Sequence, residues 1–238
     1  MKMEYNRSLK VASKMLFENY KDEARILRDI LKHQNVLFEE AKSAPMDDYS
    51  KRFELLELTK PYLDQVFKTD ALKVAFIITT ACWLENVTNT LLTLKLDKKQ
   101  FKEVDNIGLL IKWTYIIPPL VDKFSLSKGG QEYQHLYELI NDRNALAHPK
   151  PKTFKENELD INHKGQFPKY SVGELDEVAK KMHDWYLLPR VLIQKIQDAD
   201  EKFGDQLCHY AGYLIEEKMA ENEEFYRQLI ENQTSALE

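Results

Sequence analysis

Hydrophobic residues recur at helical spacing along most of this chain. In the N-terminal part they fall three, four and seven residues apart, which predicts one long amphipathic helix over residues 7–42, marked by Val11, Met15, Ile26, Leu27, Ile30, Leu31 and Leu37. Only 7 glycines and 8 prolines occur in 238 residues, which is too few for the frequent turns of an all-β sandwich or barrel. The sequence therefore predicts an all-α fold.

The same spacing predicts a series of further helices. We expect them over residues 47–68, 71–94, 101–117, 129–148, 172–196 and 203–232. Pro61 and Pro189 should kink or interrupt their helices, because proline lacks the backbone N–H. Ser171 and Glu174 have the spacing of a capping box at a helix start. The helix over 71–94 is apolar nearly all round, which predicts a central position.

We expect these helices to pack as one globular unit with three parts. Residues 1–70 form an N-terminal helical extension, residues 71–196 the helical core, and residues 197–238 acidic C-terminal helices. Within the core, residues 150–170 lack a helical pattern and are expected to form an exposed loop. This loop is longer than most in compact domains, which makes it a functional candidate.

Several classes of protein are excluded or disfavoured by the composition. The sequence lacks the glycine-rich loops of dinucleotide-binding domains and P-loop NTPases. Cys82 and Cys208 are too few for a disulfide framework or a four-cysteine zinc site, and a reducing setting fits them best. Residues 72–94 have the length of a membrane span, but Lys73 and Glu85 would be costly in hydrocarbon. We therefore expect a cytoplasmic protein that does not engage a membrane.

The charge is unevenly distributed along the chain. Residues 143–169 contain six basic and three acidic side chains, whereas residues 198–238 contain eleven acidic and three basic ones. A polyanion should therefore approach the first region and avoid the second. Alternatively, both regions are solvated surfaces with no bound partner, as charge runs usually are.

One segment, Asn141-Asp142-Arg143-Asn144-Ala145-Leu146-Ala147-His148-Pro149, combines polar residues that are suited to chemistry. At helical steps the apolar stripe through Leu136 and Leu139 continues to Arg143, and the stripe through Tyr137 and Ile140 continues to Asn144. Both polar residues are therefore expected to face inward. An inward arginine needs a carboxylate, a phosphate or an interface.

His148 follows Arg143 by five residues, which is about 140° around an ideal helix. The two side chains can meet only if the helix end distorts or a second chain supplies one of them. Pro149 favours a distorted end, because the residue before a proline is biased away from helical geometry.

The segment 143–148 resembles the motif of the HEPN family of all-α domains, in which an arginine and a polar residue precede a histidine near a helix end. The resemblance extends over residues 71–196. It implies an acidic or polar residue on a preceding core helix that faces the site, and Glu85 in Ala81-Cys82-Trp83-Leu84-Glu85-Asn86 fits that position.

The resemblance implies metal-independent RNA cleavage in a cleft between two HEPN domains, with no cofactor. His148 would act as general acid or base, Arg143 would clamp the phosphate, and Asn144 would position either partner. The products would be a 2′,3′-cyclic phosphate and a 5′-hydroxyl. We accordingly expect a homodimer, with RNA as substrate.

Many members of the family are toxins or defence effectors, so the resemblance also implies a cognate antitoxin or regulatory protein. Members that pair with a nucleotidyltransferase antitoxin often have a tyrosine two residues after the histidine. Lys150 occupies that position here, which argues against that particular pairing.

Several readings of these residues stay open on the sequence alone. Arg143 could be a buried partner of Glu85 that fixes helix packing, with His148 favoured at the helix end by the macrodipole. Glu85 and Asn89 lie four residues apart on one face of an apolar helix, where a packing role and a role in catalysis or substrate binding are both open. Lys150 and Lys152 are candidate contacts to a phosphate backbone or simply solvated lysines. A further alternative is a non-catalytic HEPN module that binds a nucleotide or dimerises.

Overall fold

The computed structural model of the protein describes residues 2–43, 49–147 and 171–211. These residues form helices and short connections, and no strand occurs among them. The predicted all-α fold is therefore confirmed for this part of the chain.

Seven α-helices account for most of the described residues. They are α1 (Lys2–Ser43), α2 (Tyr49–Lys95), α3 (Lys98–Val104), α4 (Leu109–Ile111), α5 (Gln131–Ala147), α6 (Val172–Ala199) and α7 (Glu201–Tyr210). A π-helical turn, Lys112–Ile116, continues α4, and a 3-10 turn, Pro118–Leu120, follows it. The predicted capping box begins α6, because the Ser171 backbone N–H donates to Glu174 and the Glu174 backbone N–H donates to the Ser171 hydroxyl.

Neither proline interrupts its helix, so that part of the prediction is wrong, whereas the predicted kinks stay a prediction. Pro61 lies inside α2, which joins the two helices expected over 47–68 and 71–94, and Pro189 lies inside α6 without ending it. An interior proline costs about 3 kcal/mol. Close to Pro61, Tyr62 and Val66 are 2% and 1% exposed, and the burial of two such side chains offsets a cost of that size.

The chain divides into two compact units, each built from separate stretches of sequence. The first comprises residues 1–11, 82–132 and 189–238, and the second residues 12–81 and 133–188. Both α2 and α6 contribute residues to both units. The parts expected from the sequence, 1–70, 71–196 and 197–238, are each one continuous segment. That division of the chain stays a prediction.

Apolar side chains from α1, α2 and α6 form the core of the second unit. Leu27, Leu31, Tyr62, Val66 and Leu175 make up one buried cluster. Phe17 adds ring contacts to Phe76 and Tyr186, with centroids 6.0 and 6.2 Å apart. Burial, followed by the nearby Asp70 carboxylate, raises the pKa of Tyr20 to about 12.

The first unit buries two tryptophans and apolar side chains from the C-terminal parts of α2 and α6. Its fully buried side chains include Trp83, Leu84, Leu91, Trp113, Ile117 and Ile196. α7 lies close against the end of α6, since a Cβ atom on Gly204 would lie 2.3 Å from the Cα of Gln197. Only glycine permits that approach. Asp200 caps α7 by accepting from the backbone N–H of Phe203 at 3.0 Å, and this hydrogen bond lowers the pKa of Asp200.

Candidate functional site

The C-terminal half of α5 carries the arginine and asparagine of the predicted motif. Leu136 and Leu139 are fully buried, and Arg143, which continues their stripe, is half-buried. This agrees with the prediction for Arg143. The prediction that Asn144 faces inward is wrong, because Asn144 is exposed and Tyr137, which precedes it on the same stripe, is 45% exposed.

The predicted inward position of Asn144 depends on Tyr137 being a core residue, which it is not. A tyrosine has a polar hydroxyl and is tolerated at the edge of a core. Ile140, which lies between Tyr137 and Asn144 on this stripe, is only half-buried. The buried face of α5 is therefore narrower than the sequence pattern indicated.

Arg143 and Asn144 are brought into direct contact. The Nη1 atom of Arg143 donates to the Oδ1 atom of Asn144 at 3.0 Å, in a solvent-exposed position. Because Asn144 accepts through its oxygen, its amide N–H groups are available as donors on the exposed face. The described part of α5 ends at Ala147, so His148, Lys150 and Lys152 lie outside the described residues.

The other predicted pair, Glu85 and Asn89, lies on α2 in the first unit, whereas Arg143 and Asn144 lie in the second. Both Glu85 and Asn89 are half-buried. The Oδ1 atom of Asn89 accepts a hydrogen bond from the Nζ atom of Lys112 at 3.2 Å.

Lys112 is a residue that the sequence reasoning missed. It is 1% exposed, and its Nζ atom also donates to the backbone carbonyl of Asp105 at 2.8 Å. A lysine is almost never fully buried without polar partners. The signal in the sequence was a single lysine within the apolar stretch Leu109 to Ile117.

Two tyrosines precede the motif on α5. The rings of Tyr133 and Tyr137 are nearly parallel, with an interplanar angle of 10° and centroids 6.4 Å apart. Tyr133 is half-buried, so that Tyr137 is the member of the pair that is accessible to solvent.

The metal-binding side chains of the described residues are dispersed. Within residues 2–43, 49–147 and 171–211, no three His, Cys, Asp or Glu side chains come together as a possible metal site. Cys82 and Cys208 are both half-buried, and neither forms a disulfide.

One described helical segment, Lys60–Lys95, is long and apolar enough to cross a membrane by length and composition alone. Several of its side chains are buried within the protein, among them Phe76, Trp83, Leu84, Val87 and Leu91. Core helices of globular proteins have the same composition, so the segment does not establish a location.

Comparisons with known proteins identify no relative. The sequence matches no model of a known protein family. It matches no curated protein, and the structure matches no solved structure.

Proposed function

We propose that this protein is a metal-independent endoribonuclease of the HEPN type, which cuts RNA to leave 2′,3′-cyclic phosphate and 5′-hydroxyl ends. The observation that carries the proposal is the hydrogen-bonded pair of Arg143 and Asn144 near the end of α5, with His148 next in the sequence after Ala147. An arginine, a polar residue and a histidine at this spacing are the motif of that family. The all-helical fold supports the proposal.

The reaction requires one proton to be removed and one to be delivered. The 2′-hydroxyl loses a proton and attacks the adjacent phosphorus, the bond from phosphorus to the 5′ oxygen breaks, and that oxygen takes up a proton. His148 is suited to either step, because the pKa of histidine lies near neutral pH. A homodimer with one His148 from each copy in a shared cleft supplies both a base and an acid, and two-fold dimers are the commonest oligomers.

Arg143 is proposed to hold the phosphate while the charge on it develops. Its guanidinium group is planar, stays charged and donates to two phosphate oxygens at once. The hydrogen bond to Asn144 holds the end of the arginine beside an exposed amide. Asn144 therefore restrains Arg143 and offers its own N–H donors to the substrate.

Three further residues belong to the proposal in supporting roles. Lys150 and Lys152 follow the motif directly and are proposed to contact the RNA backbone, which positions a substrate without reading its sequence. Glu85 is proposed as the acidic residue of the core helix. By its resemblance to the family, the protein is proposed to act as a cytoplasmic toxin or defence effector that is controlled by a partner protein.

The test is incubation of wild type and His148→Ala with cellular RNA in EDTA. We expect wild type to release fragments with cyclic-phosphate ends, and we expect His148→Ala to be about 10² to 10⁴ times slower. His209→Ala is the matched control, because His209 is exposed on α7 in the other unit, and it should cleave like wild type.

Two results would reject the mechanism: cleavage that survives in His148→Ala, and cleavage that requires added Mg²⁺. Binding of RNA or a nucleotide without cleavage would favour the non-catalytic module. Light scattering checks the assembly, and a strict monomer at micromolar concentration would exclude the shared cleft between two copies.

A further inference from the structure

The stacked tyrosines on α5 lie beside the proposed catalytic pair. Tyr137 and Asn144 are seven residues apart, which on a helix is about 20° around the axis and about 10 Å along it. The two exposed side chains therefore share one face of α5. Although Arg143 lies on a different side of the helix, its hydrogen bond to Asn144 brings its guanidinium group to this face.

The geometry of the two rings supports an accessible stacking surface. Their separation of 6.4 Å and angle of 10° lie in the range of offset stacked pairs. Tyr133 is half-buried and Tyr137 is 45% exposed. Packing within the protein therefore fixes the Tyr133 ring, and the Tyr133 ring restrains the Tyr137 ring.

Polar side chains surround Tyr137 on the exposed surface. Gln134, Asn141 and Asn144 lie within about 60° of it around the helix axis, and all three are exposed. The apolar neighbours Tyr133 and Ile140 are half-buried, so the exposed part of this face is mainly polar, unlike the apolar centre of a protein interface. An aromatic ring among amides matches the requirements of an unpaired base, which stacks on the ring and hydrogen-bonds through its edge.

The acidic residues of α5 oppose an RNA on this face only weakly. Glu138 lies 4.0 Å from the Nζ atom of Lys181, which offsets its charge. Asp142 lies about 140° around the helix axis from Tyr137. Arg143 supplies a cation to this face through its hydrogen bond to Asn144.

We infer that Tyr137 is a stacking platform for an unpaired base of the RNA, adjacent to the phosphate that Arg143 and Asn144 hold. The inference rests on the proposed function, since it concerns the same site, and it adds a requirement on the substrate. The RNA must present a single-stranded base within a few nucleotides of the cleaved phosphate. Tyr133 is a positioning residue that keeps the Tyr137 ring in place.

The test measures binding separately from cleavage. The probe is a short unstructured RNA with methylated 2′-hydroxyls, which cannot be cleaved, and its affinity is measured by fluorescence anisotropy. Tyr137→Leu should bind about tenfold more weakly, within the range observed when a stacking aromatic is removed, while Tyr137→Phe should bind like wild type because it keeps the ring. Tyr5→Leu, which changes a 55% exposed tyrosine on α1, is the control and should also bind like wild type.

A fully paired RNA of the same sequence provides a second comparison. Its bases are already stacked in the duplex, so Tyr137→Leu and wild type should bind it equally. Equal loss of affinity for paired and unpaired RNA would overturn the inference, because the tyrosine would then contact the backbone.

The outcomes separate this inference from the proposed function. If unmethylated RNA is cleaved by wild type and Tyr137→Leu binds the probe normally, the inference is wrong and the ribonuclease proposal stands. If wild type binds the probe but never cleaves, the ribonuclease proposal is wrong, and the loss of affinity in Tyr137→Leu still supports the stacking site. A wild type that binds no RNA overturns both proposals.

Conversion of a dimer to a monomer by Tyr137→Leu, seen by sedimentation, would assign the tyrosine to an interface between copies and overturn the inference.

Discussion

Two polar stretches of the molecule have opposite surroundings. The first is Thr88 and Asn89 on α2, and the second is Arg143 and Asn144 on α5. On α2, the Thr88 hydroxyl accepts from the indole nitrogen of Trp113 at 2.9 Å, and Asn89 accepts from Lys112. Both donors are buried. On α5, Asn144 is exposed and accepts from the neighbouring Arg143 in a solvent-exposed hydrogen bond.

This difference distinguishes two uses of a polar residue on an apolar helix. Buried polar groups need partners from within the protein, because an unpaired one costs about 1–3 kcal/mol. Thr88 and Asn89 have such partners more than twenty residues away in the sequence, and they tie α2 to the segment around Lys112. The amide donors of Asn144 face solvent, where a ligand can reach them. The first arrangement fits packing, and the second fits recognition of a substrate.

The largest expected effect comes from truncating one residue of each stretch. Arg143→Ala should slow RNA cleavage by about 10²–10³-fold, which is typical for the loss of a group that stabilises developing charge. The rate is compared per folded molecule, so that any change in the free energy of unfolding of Arg143→Ala is counted separately. Asn89→Ala should instead lower the free energy of unfolding by about 1–3 kcal/mol, because Lys112 loses an acceptor.

Cleavage rates per folded molecule and urea unfolding together decide this comparison. If Asn89→Ala slows cleavage as much as Arg143→Ala does, Asn89 contacts the substrate, as the sequence reasoning proposed. The two stretches would then share one function.

A second prediction concerns the buried lysine alone. Lys112→Ala should lower the free energy of unfolding by about 3 kcal/mol, because it leaves the carbonyl of Asp105 and the amide oxygen of Asn89 without their donor and opens a cavity. Cleavage per folded molecule should be unchanged. Lys99→Ala is the control, since Lys99 is exposed on the nearby α3, and it should unfold like wild type. A loss below about 1 kcal/mol would mean that Lys112 does not hold α2 to its neighbours.

The helices were predictable from the sequence because their signal is local. Hydrophobic spacing identified α1, α5 and α6, and the capping box at Ser171 was confirmed. The continuation of α2 through Pro61 was not predictable, since the penalty of a proline is local but the burial of Tyr62 and Val66 depends on distant helices.

The site was predictable in part, because the spacing of residues along one helix is also a local signal. The spacing of Arg143 and Asn144 identified the pair that the structure joins by a hydrogen bond. Periodicity alone assigns Tyr137 to the core, because it does not measure how wide the buried face is. The hydrogen bond between Lys112 and Asn89 joins residues 23 positions apart, and Lys112 begins a π-helical turn. Neither feature has a periodic signal in the sequence.

The smallest expected effect tests whether the exposed end of α5 is an anion-binding surface. Asp142 is exposed and adjacent in sequence to Arg143, so its charge repels a phosphate held there. Asp142→Asn should strengthen binding of the uncleavable RNA by about twofold, the size expected for one solvated charge about 10 Å away. The gain should shrink as salt rises from about 0.05 to about 0.3 M, because the screening length falls well below that distance. Asp122→Asn, a change at an exposed aspartate in the other unit, should leave affinity unchanged. A gain that does not depend on salt, or an equal gain in Asp122→Asn, would mean that the phosphate is not bound at the end of α5.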